Sequence, residues 1–144
     1  MTIVTPSIAD YIEITDVWEA SVRATHTFLT EADIQYYKPL ILNEYLKEVS
    51  LFCTRDQNKI TGFLGLDDDK IEMLFIHPDS RGKGVGKALL DFAVKEKNAR
   101  KVDVNEQNEQ AVGFYEYLGF KTVKREPLDP NGKPFPILSM ELQK

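Results

Sequence analysis

The chain has 144 residues, with 18 Lys and Arg against 23 Asp and Glu, for a formal charge of −5. Apolar residues at 42% and charged residues at 28% describe one soluble globular domain over residues 1–144, long enough to bury most of its apolar surface, and exclude a disordered chain. The acidic balance speaks against a nucleic-acid partner, no apolar run approaches the ~20 residues that span a bilayer, and no signal segment opens the chain, so a cytoplasmic protein with no membrane partner is expected.

In chain order, Thr2-Ile3-Val4-Thr5 alternates as a short strand and stops at Pro6. Ser7 stands at an N-cap with Asp10 three residues on, ahead of Ile8, Tyr11, Ile12, Thr15, Trp18 and Val22 at helical spacing. Thr30 to Asp33 gives a second start signal, before Ile34, Tyr37, Leu40, Ile41 and Tyr45. Pro39 lies inside that stretch and predicts a kink or two short helices, since an interior proline costs about 3 kcal/mol.

Strand character follows. Leu51 to Thr54 and Ile60 to Leu66 flank the polar run Arg55 to Lys59, which reads as a hairpin. Cys53, the only cysteine, falls in the first of these strands, where a small buried hydrophobe is expected. It leaves no disulfide to form, and no Cys/His spacing fits zinc; His26 and His77 are the only histidines. Asp67-Asp68-Asp69 lacks the calcium-loop pattern and reads as a solvated turn, so no metal is expected. Ile71 to Ile76 is an apolar strand with one charge, Glu72.

Beyond His77-Pro78 lies a glycine-rich turn, then Val85, Ala88, Leu89, Phe92 and Ala93 as a helical stripe. Lys101 to Asn105 alternates as a strand; Asn108 opens a helix with Ala111, Phe114, Tyr115 and Leu118 on one face; Gly119 fits its C-terminal left-handed position. Two last strands surround the turn Asp129-Pro130-Asn131-Gly132. The order is mixed α/β, with consecutive strands early and β-α-β-α-β late.

The segment Arg81-Gly82-Lys83-Gly84-Val85-Gly86-Lys87 bears most on function. Its glycines let backbone N–H groups approach a ligand, and the helix N-terminus and three cations favour phosphate. The third glycine comes one residue early for a dinucleotide fingerprint, and the spacing is one short for a P-loop. A turn that only joins strand to helix is the alternative.

Arg81, two residues, then Gly-x-Gly resembles the first motif of the GNAT (GCN5-related N-acetyltransferase) family, which holds the pyrophosphate of acetyl-CoA. Leu74-Phe75-Ile76-His77-Pro78 is similar to that family's fourth strand and its exit, and Asn108 to Phe120 to its N-x-x-A-x-x-(F/Y)-Y-x-x-x-G-F segment. The resemblance is strong from Ile60 to Lys144 and weaker before. Trp18, Ser21, Val22, Ala24, Thr25, His26, Phe28 and Leu29, with Val104 to Asn108 and Gly132 to Pro136, resemble a bacterial branch of the family.

The resemblance implies a twisted, mostly antiparallel sheet of about six or seven strands with about four helices, parallel and splayed at the fourth and fifth strands. It implies an acetyl-CoA-dependent N-acetyltransferase acting directly on a primary amine of a small molecule or peptide, through a ternary complex. A non-catalytic acyl-CoA-binding module is the alternative, and a tRNA-acetylating member is disfavoured by charge. Leu74, Phe75 and Ile76 would pair with pantetheine through their backbone. Arg81, Gly82, Lys83, Gly84, Val85, Gly86 and Lys87 would hold the pyrophosphate, and Asn108, Phe114 and Tyr115 would contact the arm.

Tyr115 matches the proton donor to the departing thiolate; a core tyrosine is the alternative. Asn108 can equally serve as an N-cap. Glu72 and Asp103 are candidate bases acting through water, against outward-facing strand charges. His26 and Phe28 are candidates for the acceptor pocket, with Tyr36, Tyr37 and Phe135 beside them, although packing explains such aromatics equally well. Monomer and homodimer both remain open.

Overall fold

The computed structural model describes residues 2–143, so Met1 and Lys144, the ends of the expected domain, lie outside the described residues. The chain divides into two compact units, Met1–Ala99 and Arg100–Lys144.

The first unit carries β1 (Ile3–Val4), α1 (Tyr11–Thr25), α2 (Glu31–Leu40), β2 (Ser50–Asp56), β3 (Lys59–Asp67), β4 (Lys70–Ile76) and α3 (Val85–Lys97). Its strands lie in the order β1-β2-β3-β4, each antiparallel to the next. The α2 start is a reciprocal cap: Asp33 N–H donates to Thr30 Oγ1 at 3.1 Å, and Thr30 N–H donates to the Asp33 carboxylate at 2.9 Å. Pro39 ends α2 one residue on, and the chain continues as a π turn, Ile41–Tyr45, and a last turn, Leu46–Glu48. A proline lacks the donor for a regular i→i−4 ladder, and a wider turn accommodates the gap. The expected break is thus a change of helix type.

One face of this sheet packs on α1 and α2. Ile14, Val17, Trp18 and Val22 join Ile34, Ile41, Leu51, Cys53, Ile60, Phe63 and Met73 in a single buried cluster. Period two sends Gly62, Leu64 and Leu66 to the other face. A Cβ on Gly62 would stand 2.8 Å from Val85 Cγ1, so that face belongs to α3. Helices therefore cover both faces, and the strands read as nearly continuous apolar runs.

The second unit carries β5 (Lys101–Asn105), α4 (Glu109–Tyr117), β6 (Phe120–Glu126) and β7 (Ile137–Leu142). Its order is β5-β7-β6, antiparallel throughout. Val102, Val104, Leu138, Met140, Tyr115 and Phe120 are its buried residues. Beyond Phe120, every residue of β6 is exposed, and Arg125 makes a two-pronged contact with Glu106 at 2.7 and 3.0 Å. Charges along such a strand discourage pairing with other chains.

Candidate functional site

The chain leaves β4 through a short 3-10 turn, Pro78–Ser80, whose start His77 caps by accepting from Asp79 N–H at 3.1 Å. Gly82 and Gly84 then take left-handed φ angles of 75° and 83°, with open space where a Cβ would be. Here glycine answers to backbone conformation, not crowding. Gly84 is the N-cap of α3 and has no side chain to cap with; the first i→i−4 bond is Ala88 N–H to Gly84 carbonyl, 3.0 Å. The N–H groups of Val85, Gly86 and Lys87 therefore have no acceptor from the preceding helix turn. Arg81 and Lys83 are exposed around this opening, while Lys87 reaches along the helix to Asp91 at 2.8 Å. Open backbone donors, a helix dipole and exposed cations fit a pyrophosphate.

Leu74, Phe75 and Ile76 form the C-terminal half of β4 and pair with Leu64, Phe63 and Gly62. One irregularity precedes them: Gly65 pairs with Met73 and Leu66 with Ile71, leaving Glu72 as the extra residue of a bulge. Glu72 is exposed and lies 3.3 Å from Lys70 Nζ. Cys53 is fully buried, and burial raises its thiol pKa. A neutral thiol there is a packing residue.

His26 closes α1 and is only 7% exposed. Its ring lies 5.3 Å from that of Phe28 and 6.2 Å from that of Phe75. Burial, and second the charge of Arg81, lowers its pKa to about 4, so the imidazole is neutral at physiological pH. Thus His26, Phe28, Phe75 and the base of the glycine loop converge at one end of β4. Tyr36 and Tyr37 meet edge to face at 5.1 Å on α2; Tyr37 packs on the core and Tyr36 is exposed.

In the second unit Asn108 caps α4, its Oδ1 accepting from Ala111 N–H at 3.3 Å, which leaves its amide donors for another partner. Tyr115 is 5% exposed, between the rings of Phe114 at 5.4 Å and Phe120 at 5.6 Å. Burial alone raises its phenol pKa and keeps the proton in place. Asp103 sits on the sheet face opposite Val102 and Val104 and accepts from its cross-strand neighbour Ser139 at 3.0 Å. Phe135 lies in the connection to β7, where its N–H donates to Lys133 carbonyl at 2.8 Å. Four features have no counterpart among the sequence expectations: the Glu72 bulge, the Ser139 contact, the close fit at Gly62 and the Thr25 contact with His26. Only Gly62, a glycine inside a strand pattern, carries a local signal.

The pattern of the acetyltransferase (GNAT) domain matches residues 19–143. The chain is 41% identical over 125 residues to the peptidyl-lysine N-acetyltransferase YjaB of Salmonella typhimurium, covering 86% of each. The solution structure of apo YjaB from Escherichia coli superposes with a TM-score of 0.89 at 36% identity, over 97% of this chain and 95% of that one. The PaiA N-acetyltransferase of Thermoplasma acidophilum, crystallised with coenzyme A, shares the fold at a TM-score of 0.72 and 22% identity, over 97% of this chain and 98% of that one.

Proposed function

Because the chain belongs to the GNAT family of N-acetyltransferases, whose donor is acetyl-CoA, we propose that its acceptor is a lysine side-chain amine in a peptide or protein. Likeness to the peptidyl-lysine enzyme over most of both chains supports that acceptor. The observation that carries the donor is the uncapped N-terminus of α3 behind two left-handed glycines. In this reading residues 1–144 work as one catalytic domain in the cytoplasm, and the acceptor amine is the only macromolecular partner the chemistry requires.

Acetyl-CoA, when bound, supplies an acetyl group activated as a thioester. The backbone N–H groups of Gly82, Lys83, Gly84, Val85 and Gly86, with Arg81, Lys83 and Lys87 beside them, hold the pyrophosphate. The backbone of Leu74, Phe75 and Ile76 pairs with pantetheine as if with another strand, and one of its N–H groups polarises the reacting carbonyl. Asn108 donates its side-chain amide to the arm, and Phe114 packs along it. Tyr115 gives its proton to the leaving sulfur as the C–S bond breaks, and the second proton lost by the newly acylated nitrogen returns to the phenolate; a buried phenol holds its proton until negative charge develops beside it. A lysine ammonium has a pKa near 10.4 and must first lose a proton, which Glu72 or Asp103 takes through a water.

The test is direct. Purified protein with acetyl-CoA and a panel of lysine peptides should release free thiol and yield peptides acetylated at the lysine side chain by mass spectrometry. Thiol release only at the uncatalysed rate, across peptides and small amines, returns the chain to a binding role. Acetylation confined to N-terminal α-amines would reject the lysine acceptor.

A further inference from the structure

The hydroxyl of Thr25 stands between two partners, the Ser21 carbonyl at 2.9 Å and His26 Nδ1 at 2.8 Å. A hydroxyl has one proton to give, and a carbonyl oxygen has none. If the Thr25 proton goes to Ser21, the Thr25 oxygen can only accept at its second contact, so Nδ1 must carry hydrogen. That arrangement satisfies both contacts; the opposite tautomer wastes the carbonyl. A neutral imidazole with Nδ1–H has a bare Nε2, which is an acceptor and nothing else.

No described residue donates to Nε2. Among the described residues no sealed side-chain nitrogen lacks a partner, so Nε2 opens towards solvent although the residue is 93% buried. The His26 ring lies beside the rings of Phe28 and Phe75 and within reach of the Arg81 charge, and Phe75 is the middle residue of the β4 segment assigned to the donor. An acceptor that reaches solvent beside aromatic rings bonds water until an amine N–H displaces it.

We propose that His26 is the residue that orients the incoming amine, a neutral Nδ1–H tautomer set by the Thr25 hydroxyl, with Nε2 accepting one N–H of the acceptor. This deepens the lysine-acceptor reading and rests on it. His26 does not keep a proton: the ammonium proton leaves to the carboxylate relay, and the bond to Nε2 fixes where the amine lone pair points. Thr25 acts only through His26 and is a positioning residue. The ligand class that follows is an amine with at least one N–H besides the proton it surrenders; a tertiary amine is excluded.

The tautomer is read without any activity. Long-range proton–nitrogen NMR of the full chain with nitrogen-labelled histidine, at neutral pH, should show His26 with protonated Nδ1 and bare Nε2. Adding Nα-acetyl-lysine amide to the CoA-bound protein should shift the Nε2 resonance and leave Nδ1 in place. Thr25→Val should move the ring towards the Nε2–H tautomer and raise acceptor KM, and Thr25→Ser should restore both. His26→Phe should raise acceptor KM by roughly 10–100-fold, with acetyl-CoA affinity unchanged. His26→Gln, which keeps an acceptor atom, should recover part of that loss. An Nε2–H ring or an imidazolium in the unmodified chain, or a tautomer unmoved in Thr25→Val, overturns the proposal. So does unchanged acceptor KM in His26→Phe. Failure of the functional reading looks different: the unmodified chain would acetylate no lysine peptide at all.

Discussion

In the proposed mechanism Tyr115 supplies the proton that the leaving sulfur takes. Burial between Phe114 and Phe120 raises its pKa, so the phenol is intact throughout the neutral range. Tyr115→Phe keeps the ring and removes the proton, and should lower kcat by roughly 10²–10⁴-fold with acetyl-CoA affinity by calorimetry nearly unchanged. Glu72→Gln and Asp103→Asn separate the two candidate bases: at one fixed pH the variant that loses the base should lose most of its kcat with a lysine peptide, and the other should keep it. His26 makes a thermodynamic prediction as well. Its pKa is about 4 folded against 6.5 free, and the groups around it are the Thr25 hydroxyl, the rings of Phe28 and Phe75 and the charge of Arg81. Between those values the unfolded chain binds a proton that the folded chain refuses, so stability falls as pH drops from 6.5 to 4. The shift corresponds to about 3 kcal/mol. Urea unfolding of the parent chain and His26→Gln at pH 7 and pH 4 should show their stability difference moving by about that amount against the parent, since the carboxylates are common to both.

Glycines and turns decide how the elements meet. A Cβ on Gly62 would lie 2.8 Å from Val85 Cγ1, 2.9 Å from Ile76 Cδ1 and 3.2 Å from the Phe75 carbonyl. The Ile76 tip can move; the backbone oxygen cannot. Gly62→Ala should therefore cost about 1–3 kcal/mol in urea unfolding and weaken acetyl-CoA binding by displacing the start of α3. Gly84→Val acts differently, because the space is open and the left-handed φ of 83° is what valine resists. It should abolish acetyl-CoA binding with little loss of helix content; retained micromolar affinity would reject the loop assignment. Periodicity made these elements legible: the α3 stripe, the Asn108 cap and the Gly119 stop all stand where the residues placed them. The β2–β3 turn was tighter than its polar run suggested. Gln57 and Asn58 both adopt positive φ, so a two-residue turn suffices and the strands reach Asp56 and Lys59. The Glu72 bulge was illegible because it depends on the register against β3, and an alternating pattern cannot report a single extra residue. Thr25 was illegible for a related reason: a hydroxyl at a helix end has many local uses, and only the adjacent ring gives this one its consequence.

Across the whole molecule the motif pair outweighed composition, which alone could say only that the chain is acidic and globular. The net charge of −5 hides an uneven distribution. Arg81, Lys83 and Lys87 gather at the donor loop, and removing those three leaves 15 cations against 23 anions, a balance of −8. In the proposed reading anionic acetyl-CoA meets the local cations, and a lysine-bearing acceptor peptide meets the remaining acidic field. Such a field raises the encounter rate of cationic partners, and its reach is set by the Debye length, about 10 Å at 0.1 M salt and about 3 Å at 1 M. Lysine peptides flanked by basic residues should accordingly show kcat/KM about tenfold above the same peptides with acidic flanks at low salt. The ratio should fall towards one as salt approaches 1 M, while kcat at saturating peptide stays level, because steering acts on encounter and not on the bound amine. A preference that persists unchanged at high salt would locate it in direct contacts instead, and peptide arrays with single basic substitutions would then show which flanking position bears it.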